Sequence, residues 1–198
     1  MTIFDWMEDT GPYQAVRNGM NMGLVNFFQR HVFEGQQGLR VAEVACGSGY
    51  ASHLIAQRPE VGLSVAADIN MIYHQQANLK EFDARFVLND IFKPSFEPAS
   101  FDLVWNSSSV EHFEDSQSAV AAMTSMVKPS GHVFVGVPYV YGPMAMYYLM
   151  PTEAQREWVG KPFTGSRLEH IFQEVGLEPL KQIVYLARSF VGILGRKK

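Results

Sequence analysis

The sequence predicts an α/β protein in which helices cover both faces of a mostly parallel sheet. Segments with strand-like and helix-like patterns alternate along the chain and are joined by short connections. The strand-like segments are apolar throughout, which is typical of parallel strands that are buried on both faces. The 198 residues, of which 47% are hydrophobic and 18% charged, are enough for one domain with a single core.

The elements follow in order from local patterns. Apolar residues at three- and four-residue steps, among them Val16, Met20 and Leu24, predict a helix over residues 12–33. Apolar runs predict strands at residues 39–46, 61–69, 84–90, 101–106 and 132–138. Helices are predicted between them at residues 49–58, 70–82 and 116–127. Ser116 is the expected N-cap of the last helix, and KPSG at 128–131 predicts a turn.

The regular alternation ends at Pro138. Residues 139–162 predict an interposed segment with one short helix, and residues 164–176 predict a further helix, capped by Thr164 or Ser166. Two apolar runs, residues 180–187 and 189–195, predict a β-hairpin. The last strand is therefore expected to run antiparallel to its neighbour.

The segment VAEVACGSGYAS, residues 41–52, contains the first candidate binding site. A glycine pair after a parallel strand, here Gly47 and Gly49, lets the backbone approach a ligand, and the following helix offers its N-terminal N–H groups. Glu43 lies inside the same strand, where an unpaired carboxylate is costly. Its expected partner is a cationic ligand group such as an ammonium, or the N–H groups of the glycine loop, and the two roles can coexist.

Two further predicted strands end in polar side chains. Asp68 ends the second strand, and Asn89 and Asp90 end the third. Because the carboxyl ends of parallel strands meet at one edge of the sheet, these groups are expected beside the glycine loop. Asp68 suits the two hydroxyls of a ribose, although it could instead be a helix N-cap. The Asn89–Asp90 pair offers an acceptor for the exocyclic amine of adenine, so the row has the size of a nucleoside.

Charge and composition disfavour several classes of protein. The net charge is −4 and no basic stripe is present, so we expect no nucleic-acid partner. No apolar run has the length of a transmembrane helix, and the N-terminus lacks the pattern of a signal peptide. The lone cysteine, Cys46, excludes a disulfide within the chain and is compatible with a reducing compartment. We therefore expect a cytoplasmic protein without a membrane span, and we assign no metal ligands.

Together these motifs resemble those of the class I S-adenosylmethionine-dependent methyltransferases, specifically the small-molecule methyltransferases of type 11. The matching stretches, in order, are EVACGSG, VAADIN, VLNDIFKPSFEPASFDLV, SVEHFED and VKPSGHVFVGVP, within residues 39–137. The resemblance implies a Rossmann-like, doubly wound sheet of seven strands with the last strand antiparallel, in agreement with the predicted hairpin. It also implies one methyltransferase domain, made of an N-terminal helical lid (1–36), a cofactor-binding core (37–137), a substrate-side insertion (138–163) and a C-terminal helix and hairpin (164–198).

The resemblance implies S-adenosyl-L-methionine as cofactor and S-adenosyl-L-homocysteine as product. By position, Asp68 would hold the ribose, and Asp90 with the backbone of Ile91 would hold the adenine. Asn106, at the end of the fourth strand, would approach the methionine ammonium or the sulfonium. The expected cofactor-binding residues are Glu43, Ala45, Cys46, Gly47, Gly49, Asp68, Ile69, Asn89, Asp90, Ile91 and Asn106. Cys46 stands where many relatives have glycine and is small enough to be tolerated.

The expected acceptor is a small molecule with an oxygen or nitrogen nucleophile, and His112 is the candidate general base by position. In the resembled group a Glu-His pair at this site is common without catalytic duty, so a structural role for His112 stays open. The expected substrate-side residues are Tyr13, Ser107, Tyr139, Tyr141, Met144 and Tyr147. Methionine and aromatic side chains suit an apolar or aromatic acceptor, although they could instead pack in the core or at a dimer face.

Two alternatives and the assembly stay open at this point. The chain could be a non-catalytic S-adenosylmethionine-binding or interaction protein that keeps the fold. A nicotinamide-dependent oxidoreductase is disfavoured by the position of Glu43 and by the missing third glycine of the dinucleotide fingerprint. A monomer or a homodimer is expected.

Overall fold

A computed structural model of the chain describes residues 11–70, 82–149, 152–153 and 160–198, without the side chains of residues 11–14, 144, 147 and 148. The strands are β1 (Leu39–Val44), β2 (Val61–Asp68), β3 (Arg85–Leu88), β4 (Phe101–Ser107), β5 (Val127–Pro138), β6 (Leu177–Tyr185) and β7 (Phe190–Lys197). They form one seven-stranded sheet in the order β3-β2-β1-β4-β5-β7-β6. The strands from β1 to β5 pair in parallel, and β7 is antiparallel to both of its neighbours. The predicted α/β class, with seven strands and an antiparallel last strand, is confirmed.

Helices lie on both sides of this sheet. Helix α1 (Gly11–Phe28) continues into a π-helical turn over Gln29–Phe33. The other helices are α2 (Tyr50–Ala56), α3 (Ser116–Met126) and α4 (Gly165–Glu174), with short 3₁₀ turns at Val110–His112 and Pro143–Leu149. The helix predicted over residues 70–82 falls almost entirely on residues 71–81, which lie outside the described residues.

The sheet separates two cores, because side chains alternate between the two faces of each strand. One core packs α3 and α4 against strand residues such as Val104 and Val135. The other packs α1 and α2 against strand residues such as Trp105 and Phe134. Burial on both faces explains why the strand segments are apolar throughout.

Helix α1 is fixed to the sheet by aromatic packing. Phe28 is completely buried, and its ring centroid lies 5.2 Å from that of Trp105 and 5.2 Å from that of Phe134. Both pairs have the edge-to-face geometry that aromatic rings favour. The position of α1 over the sheet is thus set at its C-terminal end.

Two predicted details around α3 are wrong. Asp115, not Ser116, is the N-cap, because the Asp115 carboxylate accepts a hydrogen bond from Ser118 N at 2.9 Å. The predicted turn at 128–131 is part of β5, which begins at Val127 directly after α3. The pairing of β5 with β4 is irregular at this point, and such a bulge accommodates extra residues without ending the strand.

The order of the strands reverses between β1 and β4, which are neighbours in the middle of the sheet. From β1 the chain proceeds outward to β2 and β3, and from β4 it proceeds to β5 on the other side. Open α/β sheets bind ligands in the crevice outside the carboxyl ends of the strands at such a switch point. A ligand site is therefore expected at the carboxyl ends of β1 and β4.

Candidate functional site

A cavity of about 210 Å³ lies at the carboxyl ends of β1, β2 and β4, on the switch point. We call it the switch-point cavity. Its walls combine the two loops that follow β1 and β4 with residues from helix α1. The lining residues are Arg17, Met20, Asn21, Glu43, Ala45, Cys46, Gly47, Ala51, Asp68, Ser107, Ser108 and Ser109.

Glu43 is a buried carboxylate in the wall of this cavity. Its Oε2 accepts hydrogen bonds from Ser52 N at 3.2 Å and from the Ser52 hydroxyl at 2.6 Å, so it fixes the first turn of α2. Burial raises the pKa of Glu43 to about 7, while the Ser52 hydrogen bonds and the positive charge of Arg17 act in the opposite direction. A cationic ligand group would complete the charge balance of this carboxylate.

Asp68 connects the loop after β1 with the end of β2. Its Oδ2 accepts from Gly47 N at 2.8 Å and its Oδ1 accepts from Asn70 N at 2.8 Å. The residue is 7% exposed and lines the cavity. A carboxylate oxygen can accept more than one hydrogen bond, so both oxygens can still accept from a ligand hydroxyl.

Two cavity residues other than glycine have left-handed backbone conformations. Ala45 has φ 51° and Ser108 has φ 71°, and the two loops meet where the Ser109 hydroxyl donates to the Ala45 carbonyl at 3.4 Å. Such conformations cost free energy and concentrate at functional sites. Ala45 follows β1 and Ser108 follows β4, so one lies on each side of the switch point, where the ligand is expected.

The glycine loop itself takes the conformation that glycine favours. Gly47 has φ 55° and Gly49 has φ 66°. A Cβ added to Gly49 would lie 3.1 Å from the Ala66 Cβ and 3.1 Å from the Phe86 ring, so this glycine is also required for close packing. Cys46, directly before Gly47 in the cavity wall, has a thiol whose pKa is raised by burial, which makes it a poor nucleophile.

The residues expected on the adenine side lie at the end of β3 and do not line the switch-point cavity. Asn89 is buried, and its Oδ1 accepts from Ser95 N at 2.8 Å. Asp90 is half-buried and accepts from Phe92 N at 2.9 Å. Ile91 belongs to the core that packs α3 and α4 against the sheet, whereas Ile69 is 68% exposed.

Asn106 connects β4 to β1 from within the protein. It is completely buried; its Nδ2 donates to the Val44 carbonyl at 2.6 Å, and its Oδ1 accepts from Val110 N at 3.3 Å. These bonds fix the loop after β4 against the end of β1. In this arrangement Asn106 supports the cavity wall rather than forming part of it.

His112 and its neighbour Glu111 belong to the 3₁₀ turn at Val110–His112, which follows β4 and the loop of Ser108 and Ser109. The His112 side chain is 39% exposed, and its Nε2 is 4.0 Å from Glu111 Oε1. Glu111 is 1% exposed, and neither carboxylate oxygen has a well-formed hydrogen bond among the described residues, although the Glu111 backbone N–H and the Ser108 hydroxyl act to lower its pKa. Burial raises the pKa of Glu111 to about 8, so the folded protein keeps this group largely protonated at neutral pH. His112 is not among the residues that line the cavity.

The expected substrate-side residues are only partly brought together. Ser107 lines the cavity, and its hydroxyl is 2.8 Å from the Tyr185 hydroxyl. Tyr139 and Tyr141 lie in the segment after β5, with ring centroids 5.5 Å apart, and Tyr141 is 71% exposed. The side chains of Tyr13, Met144 and Tyr147 lie outside the described residues.

The sequence predicted residues 1–36 as a lid, but it did not single out the α1 side chains that line the site, nor Tyr185. Arg17, Met20 and Asn21 come from α1, and Tyr185 ends β6. A cation on a largely apolar helix and a tyrosine at the end of a strand were the available signals. Neither signal says which side chains of these elements face the switch point, because that depends on tertiary contacts. Within the ranges that the structure covers, no three His, Cys, Asp or Glu side chains group as metal ligands would, and no helix is long and apolar enough to cross a membrane.

Comparison with known proteins shows which proteins this chain is similar to in sequence and in fold. Residues 42–135 match a family model described as a methyltransferase domain. A ubiquinone biosynthesis O-methyltransferase of Leptothrix cholodnii is 33% identical over 102 residues, which are 50% of this chain and 43% of that relative. The chain spans about half the length of the curated relatives it matches.

Solved structures agree in fold. Magnesium protoporphyrin IX methyltransferase of Synechocystis PCC 6803, with bound S-adenosylhomocysteine, superposes with a TM-score of 0.75 at 14% identity, over 98% of this chain and 93% of that one. The 1,6-didemethyltoxoflavin-N1-methyltransferase of Burkholderia thailandensis gives a TM-score of 0.69 at 15% identity, over 94% and 89%. Over residues 42–135 in sequence, and over nearly the whole chain in fold, the protein is similar to S-adenosylmethionine-dependent methyltransferases. The predicted resemblance and the predicted Rossmann-like fold are therefore confirmed.

Proposed function

We propose that the protein binds S-adenosyl-L-methionine across the switch-point cavity and methylates an oxygen or nitrogen of a small apolar or aromatic molecule. The observation that carries the proposal is the pair Glu43 and Asp68, which end adjacent strands on either side of the glycine loop and face one cavity. Both carboxylates are buried, where a charge needs a partner.

The residues present fit this cofactor group by group. We propose that Glu43 takes the methionine ammonium, that Arg17 takes the methionine carboxylate, and that Asp68 takes the ribose hydroxyls. Asn89 and Asp90, at the end of the next strand, extend the row toward the adenine. Ala45, Cys46, Gly47 and Gly49 supply the backbone of the loop, and Ile69, Ile91 and Asn106 complete the proposed cofactor set.

The chemistry asked of the protein is mainly positioning. When bound, the cofactor supplies an electrophilic methyl: the acceptor's lone pair forms the new C–O or C–N bond, and the C–S electrons stay on sulfur to give S-adenosylhomocysteine. The chain has to hold the acceptor in line and close to this methyl. The acceptor's proton leaves to solvent or to His112, and the activity of a His112→Gln variant across pH distinguishes these routes.

The residues near the cavity and the names of the relatives support the proposed kind of acceptor. Ser107, Tyr139 and Tyr141, together with Tyr13, Met144 and Tyr147, are proposed to meet it, and most of these side chains are flat or adaptable. The names of two relatives, a ubiquinone biosynthesis O-methyltransferase and an N1-methyltransferase of 1,6-didemethyltoxoflavin, support oxygen and nitrogen nucleophiles on small molecules. We also propose a cytoplasmic monomer or homodimer organised as one domain with the divisions given above.

Calorimetry with S-adenosylhomocysteine tests the cofactor site. We expect Asp68→Asn to weaken binding at least about tenfold, since one charge-assisted acceptor is worth roughly 1.5–3 kcal/mol. Glu97→Gln, at an exposed carboxylate, is the matched control and should bind as the unmodified protein does. Equal affinities for both variants would contradict the assignment of Asp68.

Methyl transfer to a panel of small phenols and amines separates the enzyme from the non-catalytic alternative. The expected result is formation of S-adenosylhomocysteine that depends on one of the acceptors. A protein that binds the cofactor tightly but yields no product with any acceptor would favour the binding-protein alternative.

A further inference from the structure

A second, apolar cavity lies beside the switch-point cavity, between helix α1 and the end of β6. Its volume is about 180 Å³, and its walls are almost entirely carbon. The lining residues are Gly19, Met20, Gly23, Leu24, Ile183, Tyr185 and Leu186. We call it the α1–β6 cavity.

The two cavities are adjacent and share one wall residue. Met20 lines both of them. The hydroxyl of Ser107, in the switch-point cavity, is hydrogen-bonded at 2.8 Å to the hydroxyl of Tyr185, in the α1–β6 cavity. A molecule seated against Met20 and Tyr185 is therefore next to the place where the cofactor is proposed to bind.

The space in this cavity depends on two glycines within a helix. Glycine in a helix interior is destabilising relative to alanine, and helices use it where close packing demands it. Packing against the described residues does not demand it here, because a Cβ added to Gly19 or to Gly23 would have none of their atoms within 4 Å beyond its own helix backbone. The two positions leave room for something other than the described residues of the chain.

The opposite wall has a strained backbone. Leu186, Ala187 and Arg188 follow β6 with φ values of 49°, 48° and 65°, a left-handed run without any glycine. Each such residue costs of the order of 1–2 kcal/mol relative to right-handed backbone. This loop packs closely against Gly142, in the segment after β5. Only glycine permits that approach, since an added Cβ there would overlap the Arg188 carbonyl. Strain of this kind concentrates at binding sites.

We propose that the α1–β6 cavity is the subsite for the apolar ring of the methyl acceptor. A dry apolar cavity of about 150 Å³ is enough to bind benzene, so about 180 Å³ accepts one six-membered ring with a small substituent. The acceptor's oxygen or nitrogen then points past Met20 and Ser107 into the switch-point cavity. This inference rests on the proposed function, because it places the acceptor against the same cofactor.

Space-filling variants of α1 test the subsite with benzene as the probe. The protein has ten methionines, and the methyl resonance of Met20, labelled with carbon-13 and assigned by its loss in Met20→Leu, reports on both cavities. We expect benzene to shift this resonance in the unmodified protein. The shift should weaken in Gly23→Ala and Gly19→Ala and be lost in Gly23→Leu and Gly19→Leu.

Two controls keep folding and cofactor binding separate from the subsite. The glycine variants should unfold at an equal or higher denaturant midpoint, because alanine and leucine favour helix, and they should still bind S-adenosylhomocysteine. Met22→Leu, on an exposed position of the same helix, should leave the benzene response unchanged.

Two results would overturn the subsite: no benzene response at Met20 in the unmodified protein, or an undiminished response in both leucine variants. Failure of the unmodified protein to bind S-adenosylhomocysteine would instead overturn the proposed function. The two failures are therefore distinguishable.

Discussion

Two buried glutamates illustrate how single side chains determine the pH behaviour of this protein. Burial raises the pKa of Glu43 to about 7 and that of Glu111 to about 8. Glu43 faces the switch-point cavity and has hydrogen-bond partners in Ser52, whereas the oxygens of Glu111 have no well-formed hydrogen bond among the described residues. The first is expected to affect ligand binding, and the second is expected to affect stability.

Cofactor binding should strengthen as the pH rises through the pKa of Glu43. Only the ionised carboxylate attracts the methionine ammonium, and with a pKa of about 7 its ionised fraction rises about tenfold between pH 6 and pH 8. We therefore expect S-adenosylhomocysteine affinity to rise about tenfold over that range, with proton release near neutral pH. Calorimetry in buffers of different ionisation enthalpy measures both quantities.

Matched glutamine variants assign this pH dependence to one residue. Glu43→Gln keeps an acceptor for Ser52 but cannot titrate, so its weaker binding should be flat across this pH range. Glu111→Gln should retain the slope of the unmodified protein. A flat profile in the unmodified protein would mean that Glu43 does not meet the ammonium.

Glu111 should make the fold less stable as the pH rises. In the unfolded chain it ionises above about pH 4.5, while the folded state keeps the proton up to about pH 8. The folded state therefore binds more protons in this window, and its free energy of unfolding falls by on the order of 1 kcal/mol per pH unit. Relative to the unmodified protein, Glu111→Gln should gain stability progressively between pH 5 and pH 8 in urea denaturation.

The exposed Glu114 provides the control for this effect, because it lies three residues away on the surface. Glu114→Gln should give a stability profile parallel to that of the unmodified protein. If Glu111→Gln were parallel as well, the buried carboxyl would have another partner in solution.

Among the elements, the glycine loop and the start of α2 depend on the left-handed backbone conformation, which residues with a Cβ adopt at a cost in free energy. Gly49 and Gly38 share a φ of 66°, but only Gly49 has close neighbours. The pair therefore separates the conformational cost of a side chain from its packing cost.

Gly38→Ala should lower the free energy of unfolding by about 1–2 kcal/mol, the cost of a left-handed residue with a Cβ. Gly49→Ala should cost more, since the added Cβ meets Ala66 and Phe86, and it should also weaken S-adenosylhomocysteine binding. Urea denaturation and calorimetry measure the two effects. Equal losses of stability in both variants, with binding intact, would show that the loop can relax.

Across the whole molecule, helix α1 connects the second core to both cavities. Its C-terminal end packs through Phe28 on Trp105 and Phe134, and its middle supplies Met20 to each cavity wall. The predicted role of residues 1–36 as a lid is a proposal consistent with this position. The stability of the α1 side of the sheet and ligand binding should therefore be coupled.

Phe28→Ala should destabilise the protein by about 3–5 kcal/mol, because it leaves a cavity in a fully buried aromatic cluster. It should also weaken binding of S-adenosylhomocysteine and the benzene response, although Phe28 touches neither cavity. Phe92→Ala, at a residue that is 43% exposed, should change both much less. Intact binding in a destabilised Phe28→Ala protein would mean that the cavities do not require a docked α1.

Much of the fold could be predicted because local patterns dictate it. Continuous apolar runs indicated the strands, and the alternation with helices indicated the parallel sheet, as β1 to β5 confirm. Local sequence could not choose between Asp115 and Ser116 as the N-cap of α3, since both residue types suit that position. In the structure the Ser116 hydroxyl donates to the Val110 carbonyl, and the Asp115 carboxylate accepts from Ser118 N. The extension of β5 through KPSG could not be predicted either, because a bulge depends on the neighbouring strand.

The sequence by itself determined the fold class and the family that the chain resembles, because Glu43, the glycine loop and Asp68 occur at strand ends whose order follows from short connections. Only the tertiary structure decided which side chains those strand ends face. It directed Asn106 inward to the backbone, kept His112 out of the cavity wall and brought Arg17, Met20 and Tyr185 to the two cavities. The physical reason is that strand ends follow from local pattern, whereas the packing of α1 and of β6 beside them depends on contacts between residues far apart in the chain.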